Sequence, residues 1–384
     1  MSLLARVKGE VPLISMVGLL AMSIVFGWVR YGYGLLLPDF QADFHLSKTT
    51  LGMISSLSFL SFLVGALLVT FFIAKWGPKM FIVSGLAAAS VGLLTAAFAQ
   101  SGLLFSIGCV IAGLCPGLCW APFSESVSNY VRERLQKRSL AVISTGSSIG
   151  LVVICALYLV FPEGSWRLLW IIGGIIGLVL LLVVLKTVPS GAESPSPHDI
   201  KRPRLPSFHK HSVHLFTAAI IFGVTEATYW TYAADFAEQS FHMDASNALF
   251  FLITGVGGIA GLWAGELINY LGFRKSFFLT VLVYALSMFI LFVSQSWAAI
   301  GLSGFLFGLT FMMYAAFLPI WSAEVFPNAP AQGFSISVVI LNMGTIIGPA
   351  FFGGMLTVTG YKWIFLLAAM VACSKLFLAP TEER

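Results

Sequence analysis

The chain has 384 residues, of which 58% are hydrophobic and 10% charged, and its formal net charge is +5. Water-soluble domains are about 25% charged, so this composition excludes a soluble enzyme or a secreted scaffold. The chain has 21 Lys and Arg against 16 Asp and Glu, and this excess of basic residues is too small to indicate a nucleic-acid partner. A membrane-crossing helix needs about 20 apolar residues, so a chain of this length can hold about twelve of them joined by short loops.

Apolar runs of membrane-spanning length recur along the whole chain. The first six lie at about 11–37, 47–73, 80–99, 102–130, 139–161 and 166–188. After a polar interval, six more lie at about 213–237, 245–268, 276–294, 297–326, 331–358 and 361–379. Strands of a membrane β-barrel would be about 10 residues long with alternating polarity, and these runs do not fit that pattern. The predicted fold class is therefore an all-α membrane protein with 12 transmembrane helices.

Residues 189–212 form the main break in this pattern. They are rich in proline, serine and basic residues, a composition that cannot bury enough apolar surface to fold by itself. Four histidines between 198 and 214 could be interpreted as a metal-binding tract, but we favour a solvated linker, and we expect no metal and no cofactor. The predicted organisation is an N-terminal six-helix bundle (1–188), a cytoplasmic linker (189–212) and a C-terminal six-helix bundle (213–384).

Basic residues are concentrated on one side of the predicted bundle. They lie near 6–8, 75–79, 132–138, 186–210 and 274–275. The loops on the other side contain few, namely Lys48, Arg167 and Lys362. Because cytoplasmic loops carry the excess of Lys and Arg, we expect both termini and the linker to be cytoplasmic.

The two predicted bundles repeat each other when one is shifted by about 196 positions. Phe26-Gly27 aligns with Phe222-Gly223, and Asp39-Phe40 aligns with Asp235-Phe236. Glycine pairs recur as well: those at 113/117 and 146/150 correspond to those at 304/308 and 344/348. Parallel repeats about an axis along the membrane normal are the arrangement in which a transporter handles its substrate between the two halves.

One turn carries a resemblance to a known family. The turn after the eighth predicted helix reads Gly265-Glu-Leu-Ile-Asn269-Tyr-Leu-Gly272-Phe-Arg274-Lys275 and resembles the G-x-x-x-D-R-x-G-R-R signature of the major facilitator superfamily. Asn269 stands where the family has Asp, so we expect the cytoplasmic latch of this chain to differ from the usual one. The segment Arg30–Pro38 also resembles the opening R-[FY]-x-Y-x-x-L-L-P of the YbfB-like branch. The resemblance implies a monomeric transporter in a bacterial inner (plasma) membrane.

Two charged residues lie deep within predicted helices. A charge at the bilayer centre costs about 2.5–3.5 kcal/mol on insertion scales, so each needs a partner or a purpose. Arg30 in the first helix and Glu226 in the seventh occupy equivalent positions of the repeat, which would place opposite charges on facing walls of a cavity. We expect Arg30 to hold a substrate carboxylate and Glu226 to exchange a proton. The alternative is an ion pair that only stabilises one conformation.

Further residues have predicted roles around this pair. Substrate contacts are expected from Tyr33, Tyr229, Trp230 and Tyr314. Glu125 is a second candidate for proton coupling, with a salt bridge to Arg132 or Arg134 as the alternative. The residues expected to gate the two ends are Asp39, Asp235, Asn269, Arg274 and Glu324.

Two more charged residues are expected to act only at the membrane surface. Glu266 would pair with Arg274, Lys275 or the linker, and Lys375 would extend its amine to the lipid headgroups. Glu324 would pair in the same way as Glu266.

These features favour a proton-coupled secondary transporter of a small organic anion that works by alternating access. The chain lacks the G-x-x-x-x-G-K-[ST] loop that an ATP-driven pump would need, and nothing in it resembles an ion-selectivity filter. Export of an amphiphilic or drug-like compound by proton antiport is an alternative, because the predicted interior is aromatic and weakly charged. A transporter-like receptor or sensor is an alternative of another class.

Overall fold

Helices account for nearly every residue of the parts of the chain that the computed structural model describes, namely 12–46, 48–161, 164–189, 210–241, 246–259, 263–327 and 329–378. The first half begins with α1 (Leu13–Met22), a π-helical segment (Ser23–Tyr31), α2 (Gly32–Leu35) and α3 (Leu37–Phe44). It continues with α4 (Lys48–Ala97), α5 (Gly102–Gly113), α6 (Cys115–Tyr130), α7 (Glu133–Val160) and α8 (Trp166–Thr187).

The second half has the same alternation of long helices and short turns. Its helices are α9 (Lys210–Phe241), α10 (Ser246–Ile259), α11 (Ala264–Leu271), α12 (Phe273–Val293), α13 (Trp297–Val325), α14 (Pro330–Thr359) and α15 (Tyr361–Cys373). A short 3₁₀ turn, Ser374–Leu378, follows α15. The described residues before 190 are called the N-half below, and those from 210 onward the C-half.

Nine segments of the described residues are long and apolar enough to cross a membrane. One of them, Met53–Ala97, has 45 residues and would measure about 68 Å as a straight helix at about 1.5 Å per residue, more than twice the hydrocarbon thickness. It is broken at Gly77, where φ is 72° and ψ is 162°, just before Pro78. The all-α membrane fold is thus confirmed, whereas the count of 12 helices and the cytoplasmic position of the termini stay predictions.

The backbone repeats itself at the turns. Gly77 and Gly272 are equivalent in the repeat, and Gly272 has φ 82° and ψ 158°, nearly the same conformation as Gly77. Gly164 and Gly360 form a second equivalent pair, with φ of 80° and 79°. This region of backbone space is accessible to glycine almost alone. The glycine of the signature turn is therefore required by the geometry of a sharp reversal between two helices.

The glycine pairs predicted from the repeat lie at equivalent helix crossings. Gly146 and Gly150 on α7 pack against the backbone of Leu19 and Ser23 in the first helix. In the C-half, Gly344 and Gly348 on α14 pack against the backbone of α9 in the same way. Small residues let two helices approach closely where lipid provides no hydrophobic driving force.

The two halves meet along two seams that the repeat relates to each other. One seam is formed by α7 and α10, and the other by α4 and α14. Additional contacts join α6 to α14, α7 to α13 and α7 to α11. The contacts between α7 and α11 lie toward the basic end, which is the end of the bundle that contains the loop at 131–132 and the turn at Gly272. The inner faces of these helices therefore surround a region between the two halves.

Candidate substrate site between the halves

The site begins with an irregular segment of the first helix. Ser23–Tyr31 is wound as a π-helix, and Arg30 lies in its last turn. Gly27 within it packs directly on the backbone of Gly150 in α7. A π-helical segment has a wider turn than an α-helix, which changes the direction of the side chains that follow it, and such segments often occur at functional sites.

Glu226 approaches Arg30 from the middle of α9. Arg30 Nη2 lies 3.4 Å from Glu226 Oε1, and the side chains are 14% and 2% exposed. The second carboxylate oxygen, Oε2, has no hydrogen-bond partner among the described residues. The structure therefore brings together the two charges that the repeat placed at equivalent positions, in a single contact that leaves part of each group unused.

The pair lies in a central pocket that both halves line. This pocket has a volume of about 20 Å³, enough for one or two water molecules. Its other walls are Met22, Phe26, Tyr31, Trp120, Ser144 and Ser147 from the N-half and Phe222, Phe311, Met312, Ala315 and Leu341 from the C-half. In this conformation the pocket has no room for an organic molecule.

Arg30 also lines a second cavity, which lies inside the N-half. This N-half cavity has a volume of about 50 Å³ and includes Tyr33, Ser55 and Ser58 in its lining. The guanidinium carbon lies 5.1 Å from the ring centre of Phe59 and 5.4 Å from that of Phe62. A cation over aromatic faces is stabilised electrostatically. Arg30 thus stands between two cavities, with aromatic rings on one side and a carboxylate on the other.

Aromatic pairs cross from one half to the other on either side of the ion pair. Tyr31 stacks on Trp230 with ring centres 4.8 Å apart and planes at 22°. Nearer the basic end, Trp120 meets Phe334 edge to face at 5.0 Å. These contacts enclose the central pocket along the axis of the bundle.

The remaining residues predicted to contact substrate fall into two groups. Tyr33 lines the N-half cavity and donates a hydrogen bond to the Leu51 carbonyl oxygen at 2.8 Å, and Trp230 reaches the central pocket through Tyr31. Tyr229 instead packs inside the C-half, where its ring lies 3.8 Å from that of Phe307 and its hydroxyl is bonded to Ser303.

Tyr314 also packs inside the C-half. Its ring lies 3.9 Å from that of Phe222, and it is not part of the lining of the central pocket. Phe222 is the residue of this pair that faces the pocket. The structure therefore places Arg30, Glu226 and Tyr33 in the walls of the two cavities, whereas Trp230, Tyr229 and Tyr314 pack one layer behind those walls.

Apart from Glu226, the acids predicted to act in coupling or gating lie away from this region. Glu125 accepts a hydrogen bond from the Asn129 amide at 3.3 Å. Asp39 accepts one from the Tyr158 hydroxyl at 3.0 Å, within the N-half. The side chain of Asp235 lies outside the described part of the chain.

The other predicted gating residues lie at the basic end. Asn269 and Arg274 are exposed, and the Arg274 guanidinium lies 5.9 Å from the ring of Phe278. Glu324 interacts electrostatically with Lys137 of α7, across the two halves. Their roles in gating stay predictions.

The pairing expected for Glu266 was wrong. Instead of contacting Arg274 or Lys275 on its own side, Glu266 Oε1 lies 3.5 Å from Arg138 Nε of the N-half. Glu266 lies in the first turn of α11, and α11 packs against α7 of the other half, which carries Arg138. The signature turn thus contributes an ion pair between the halves one helical turn before Asn269.

The position expected for Lys375 was also wrong. It does not extend to the headgroups, because α15 ends at Cys373 and the following 3₁₀ turn directs the side chain inward. Lys375 is 0% exposed, and its amine lies 4.1–4.9 Å from the ring centres of Phe222, Tyr284 and Tyr314. An apolar helix end with one lysine is typical of snorkelling, and only the tertiary fold reveals the aromatic cage.

The described residues contain no group of three His, Cys, Asp or Glu side chains placed to hold a metal ion. His198 and His209 of the histidine cluster lie outside them. The five cysteines are free, and four of them are buried among apolar neighbours. The site is therefore built from one ion pair, hydroxyl groups and aromatic rings.

The sequence matches the family model described as Major Facilitator Superfamily over residues 19–269 and 215–381. Among curated proteins, it is 27% identical to a gentisate transporter of Corynebacterium glutamicum over 44% of this chain and 39% of that protein. It is 30% identical to monocarboxylate transporter 11 of Mus musculus over 44% of this chain and 36% of that protein. It is 25% identical to the transcription regulatory protein OpdE of Pseudomonas aeruginosa over 76% of each. The chain thus spans well under half of the length of both transporters that it matches.

Solved structures share the fold at low sequence identity. The proton:xylose symporter XylE superposes with a TM-score of 0.78 at 13% identity, over 95% of this chain and 94% of that one. The human organic anion transporter MFSD10 gives 0.74 at 14% identity, over 97% and 99%. FucP, in the outward conformation, gives 0.70 at 18% identity, over 95% and 99%.

Proposed function

Because this chain belongs to the major facilitator superfamily, and is thus a multi-pass membrane transporter rather than an enzyme, we propose that it carries a small organic monocarboxylate by alternating access. Proton coupling is part of the proposal, as is a location in a bacterial inner membrane. The observation that carries it is the Arg30–Glu226 pair at 3.4 Å between the halves.

Arg30 has the chemistry to bind a carboxylate. A guanidinium has five N–H donors and binds carboxylates with two parallel hydrogen bonds. Within the described part of the chain, Arg30 donates one long hydrogen bond, to Glu226, so its other donors are available. Because it lines both cavities, a substrate can reach it from the central pocket while its stem stays in the N-half.

The lining around Arg30 favours a substrate with an apolar or aromatic body. Phe26, Phe59 and Phe62 surround the guanidinium, and the polar groups nearby are hydroxyls such as those of Ser55 and Ser58. Aromatic rings stack favourably on such surfaces. The names of the relatives point the same way: gentisate is an aromatic monocarboxylate, and a second relative is a monocarboxylate transporter.

Glu226 provides a reason for protons to move with the substrate. When the substrate carboxylate takes over the guanidinium, Glu226 loses its partner while it remains buried. A buried carboxylate without a counter-ion is costly, and neutralisation by a proton from the medium removes that cost. One anion and one proton would then cross together, which leaves the charge of the interior unchanged.

The test uses purified protein in proteoliposomes with benzoate and gentisate as probes. The wild type is expected to catalyse counterflow of labelled benzoate, and the thermal unfolding midpoint should rise with either acid. Arg30→Ala should remove both effects, because its loss deletes the carboxylate's hydrogen-bond donors, worth about 1.5–3 kcal/mol for charged partners, or about 10-fold or more in affinity.

Arg167→Ala is a control for the loss of an arginine, since Arg167 binds Asp43 and the Ala97 carbonyl at the other end of the N-half. It should lower stability but leave the benzoate response intact in the folded fraction. Midpoint shifts produced by lipophilic cations, unchanged in Arg30→Ala, would contradict anion transport and support export of amphiphilic compounds.

A second candidate function is a transporter-like regulator. It rests on the relative named as a transcription regulatory protein, which matches this chain over 76% of its length. A regulator would bind benzoate, with the same loss in Arg30→Ala, but would show no counterflow. The two assays described above therefore separate the candidates.

A further inference from the structure

Lys375 is a buried charge that the proposed function does not use. Among the described residues, Glu226 and Lys375 are the two charged side chains in the buried class, 2% and 0% exposed. The Lys375 amine has no hydrogen-bond acceptor among those residues. A lysine that only anchored a helix end would be expected to reach water or a carboxylate.

The surroundings of Lys375 suit both protonation states of its amine. Phe222, Tyr284 and Tyr314 present ring faces to it at 4.1–4.9 Å, which stabilises an ammonium ion. Complete burial without an acceptor stabilises the neutral amine. Because the rings favour the ammonium ion and burial favours the neutral amine, Lys375 can gain and lose a proton without a change in fold.

Lys375 is also electrostatically coupled to the substrate site. Glu226 interacts with both Arg30 and Lys375, and its Oε2 and the Lys375 amine are both without a partner among the described residues. Phe222 forms part of the cage and of the central pocket, one helical turn before Glu226 on the same face of α9. The cage thus lies directly behind the ion pair.

Other titratable groups face the two residues from the helices packed against them. Around Lys375 these are Tyr284 on α12, Tyr314 on α13, Glu226 on α9 and Cys373 at the end of α15. Around Glu226 they are Arg30 and Tyr31 from the N-half and Tyr284 from the C-half. Of these groups, Arg30, Glu226 and Lys375 are the ones that can change ion-pair partner or bind a proton during the substrate cycle.

We propose that Lys375 relays the coupling proton to Glu226, an inference that rests on the proposed function. In the unloaded protein Arg30 pairs with Glu226 and the Lys375 amine is neutral. When the substrate carboxylate binds Arg30, a proton from the medium on the loading side adds to the amine, and the resulting ammonium shares that proton with Glu226, so one proton neutralises the carboxylate that Arg30 has left. The interior is electroneutral before and after, because one anion and one proton have entered. On release, the proton leaves Lys375 and Glu226 returns to Arg30.

The test compares two opposite substitutions at this position. Lys375→Arg keeps a cation in the cage but never gives up its proton, and Lys375→Gln never accepts one. Both are expected to lower benzoate accumulation driven by an imposed pH gradient by about 10-fold or more, while equilibrium counterflow stays within about threefold of the wild type. Lys362→Arg, at an exposed lysine near the start of α15, is the matched control and should behave as the wild type.

A purely structural cation predicts a different outcome, since Arg would then preserve function. Wild-type accumulation in folded Lys375→Arg would overturn the inference and leave the proposed function standing. If the wild type itself shows no pH-driven accumulation of any carboxylate that it binds, proton coupling fails and the role of Lys375 fails with it. Should Lys375→Arg not fold, full accumulation in Lys375→Gln would be the overturning result.

Discussion

At the scale of single residues, the Arg30–Glu226 pair is loosely made. It is one contact of 3.4 Å, and one carboxylate oxygen has no partner among the described residues. A strong arginine–carboxylate pair has two hydrogen bonds of about 2.7–2.9 Å. A single long bond can be exchanged for a substrate carboxylate without breaking a wider network. The geometry therefore suits a carrier better than a permanent structural bridge.

Glu226→Gln is expected to abolish accumulation driven by a pH gradient and to preserve part of the substrate exchange. The amide cannot bind a proton, but it still fills the space beside Arg30. The measurement is benzoate uptake at several imposed gradients, set against counterflow in the same vesicles. Glu133→Gln, at an exposed position in the first turn of α7, is the control. Unchanged pH dependence in Glu226→Gln would remove Glu226 from coupling.

At this scale the sequence predicts the positions of charged side chains better than those of aromatic ones. Arg30 and Glu226 stand out because a charge within an apolar run is visible in the sequence alone. Tyr229 follows Glu226 by three residues, a spacing that predicts the same helical face, yet it turns into the C-half and bonds with Ser303. Helical spacing places a residue on a face about 100° wide, and that is too coarse to distinguish the pocket from the packing layer beside it.

At the scale of elements, glycine sets how closely the helices approach. On α14 a Cβ at Gly348 would contact the backbone of Val224 in α9, whereas a Cβ at Gly354 would meet nothing within 4 Å. The equivalent crossing of the N-half places Gly150 against Ser23, next to the π-helical segment that carries Arg30. The two crossings therefore hold the helices that bear the ion pair.

Gly348→Ala and Gly354→Ala make a matched pair of substitutions on one helix. Gly348→Ala is expected to lower the free energy of unfolding by about 1–3 kcal/mol, because the added methyl must displace backbone. Gly354→Ala should be neutral or raise it by up to about 1 kcal/mol through helix propensity. Thermal or denaturant unfolding in detergent measures both. Equal effects at the two positions would contradict the close crossing of α9 and α14.

At the scale of the whole molecule, contacts at the basic end hold the two halves together. Arg138 and Glu266 pair across the halves at 3.5 Å, and Trp120 meets Phe334 above them. Where the family's signature turn has Asp, this chain has the exposed Asn269, and the ion pair between the halves is made instead by Glu266, one turn earlier on the same helix. We interpret these contacts as the closure of the basic end, which we expect to face the cytoplasm.

Glu266→Lys is expected to shift the population toward opening at this end, because it replaces attraction to Arg138 by repulsion. The side chains are 39% and 46% exposed, so the pair contributes about 0–1 kcal/mol and the shift should not exceed about fivefold. Distances between spin labels on the ends of α7 and α11 would measure it. The double variant Arg138→Glu with Glu266→Arg should restore the original distribution, and about 1 M salt should reduce the difference. No change in any of these distances would show that the pair is not part of the closure.

The sequence by itself determined the membrane fold, the family and the positions of the two opposite charges. The features that carry these predictions are the lengths of the hydrophobic runs, the excess of basic residues in alternate loops and the internal repeat. Each of them is a local or additive property of the chain. The surroundings of Lys375 and the partner of Glu266 depend on how helices far apart in the chain rotate against one another. Small residues and turn geometry set those rotations jointly, and no single segment encodes them. Only the tertiary structure could therefore place the lysine behind Glu226 and bring Arg138 to Glu266.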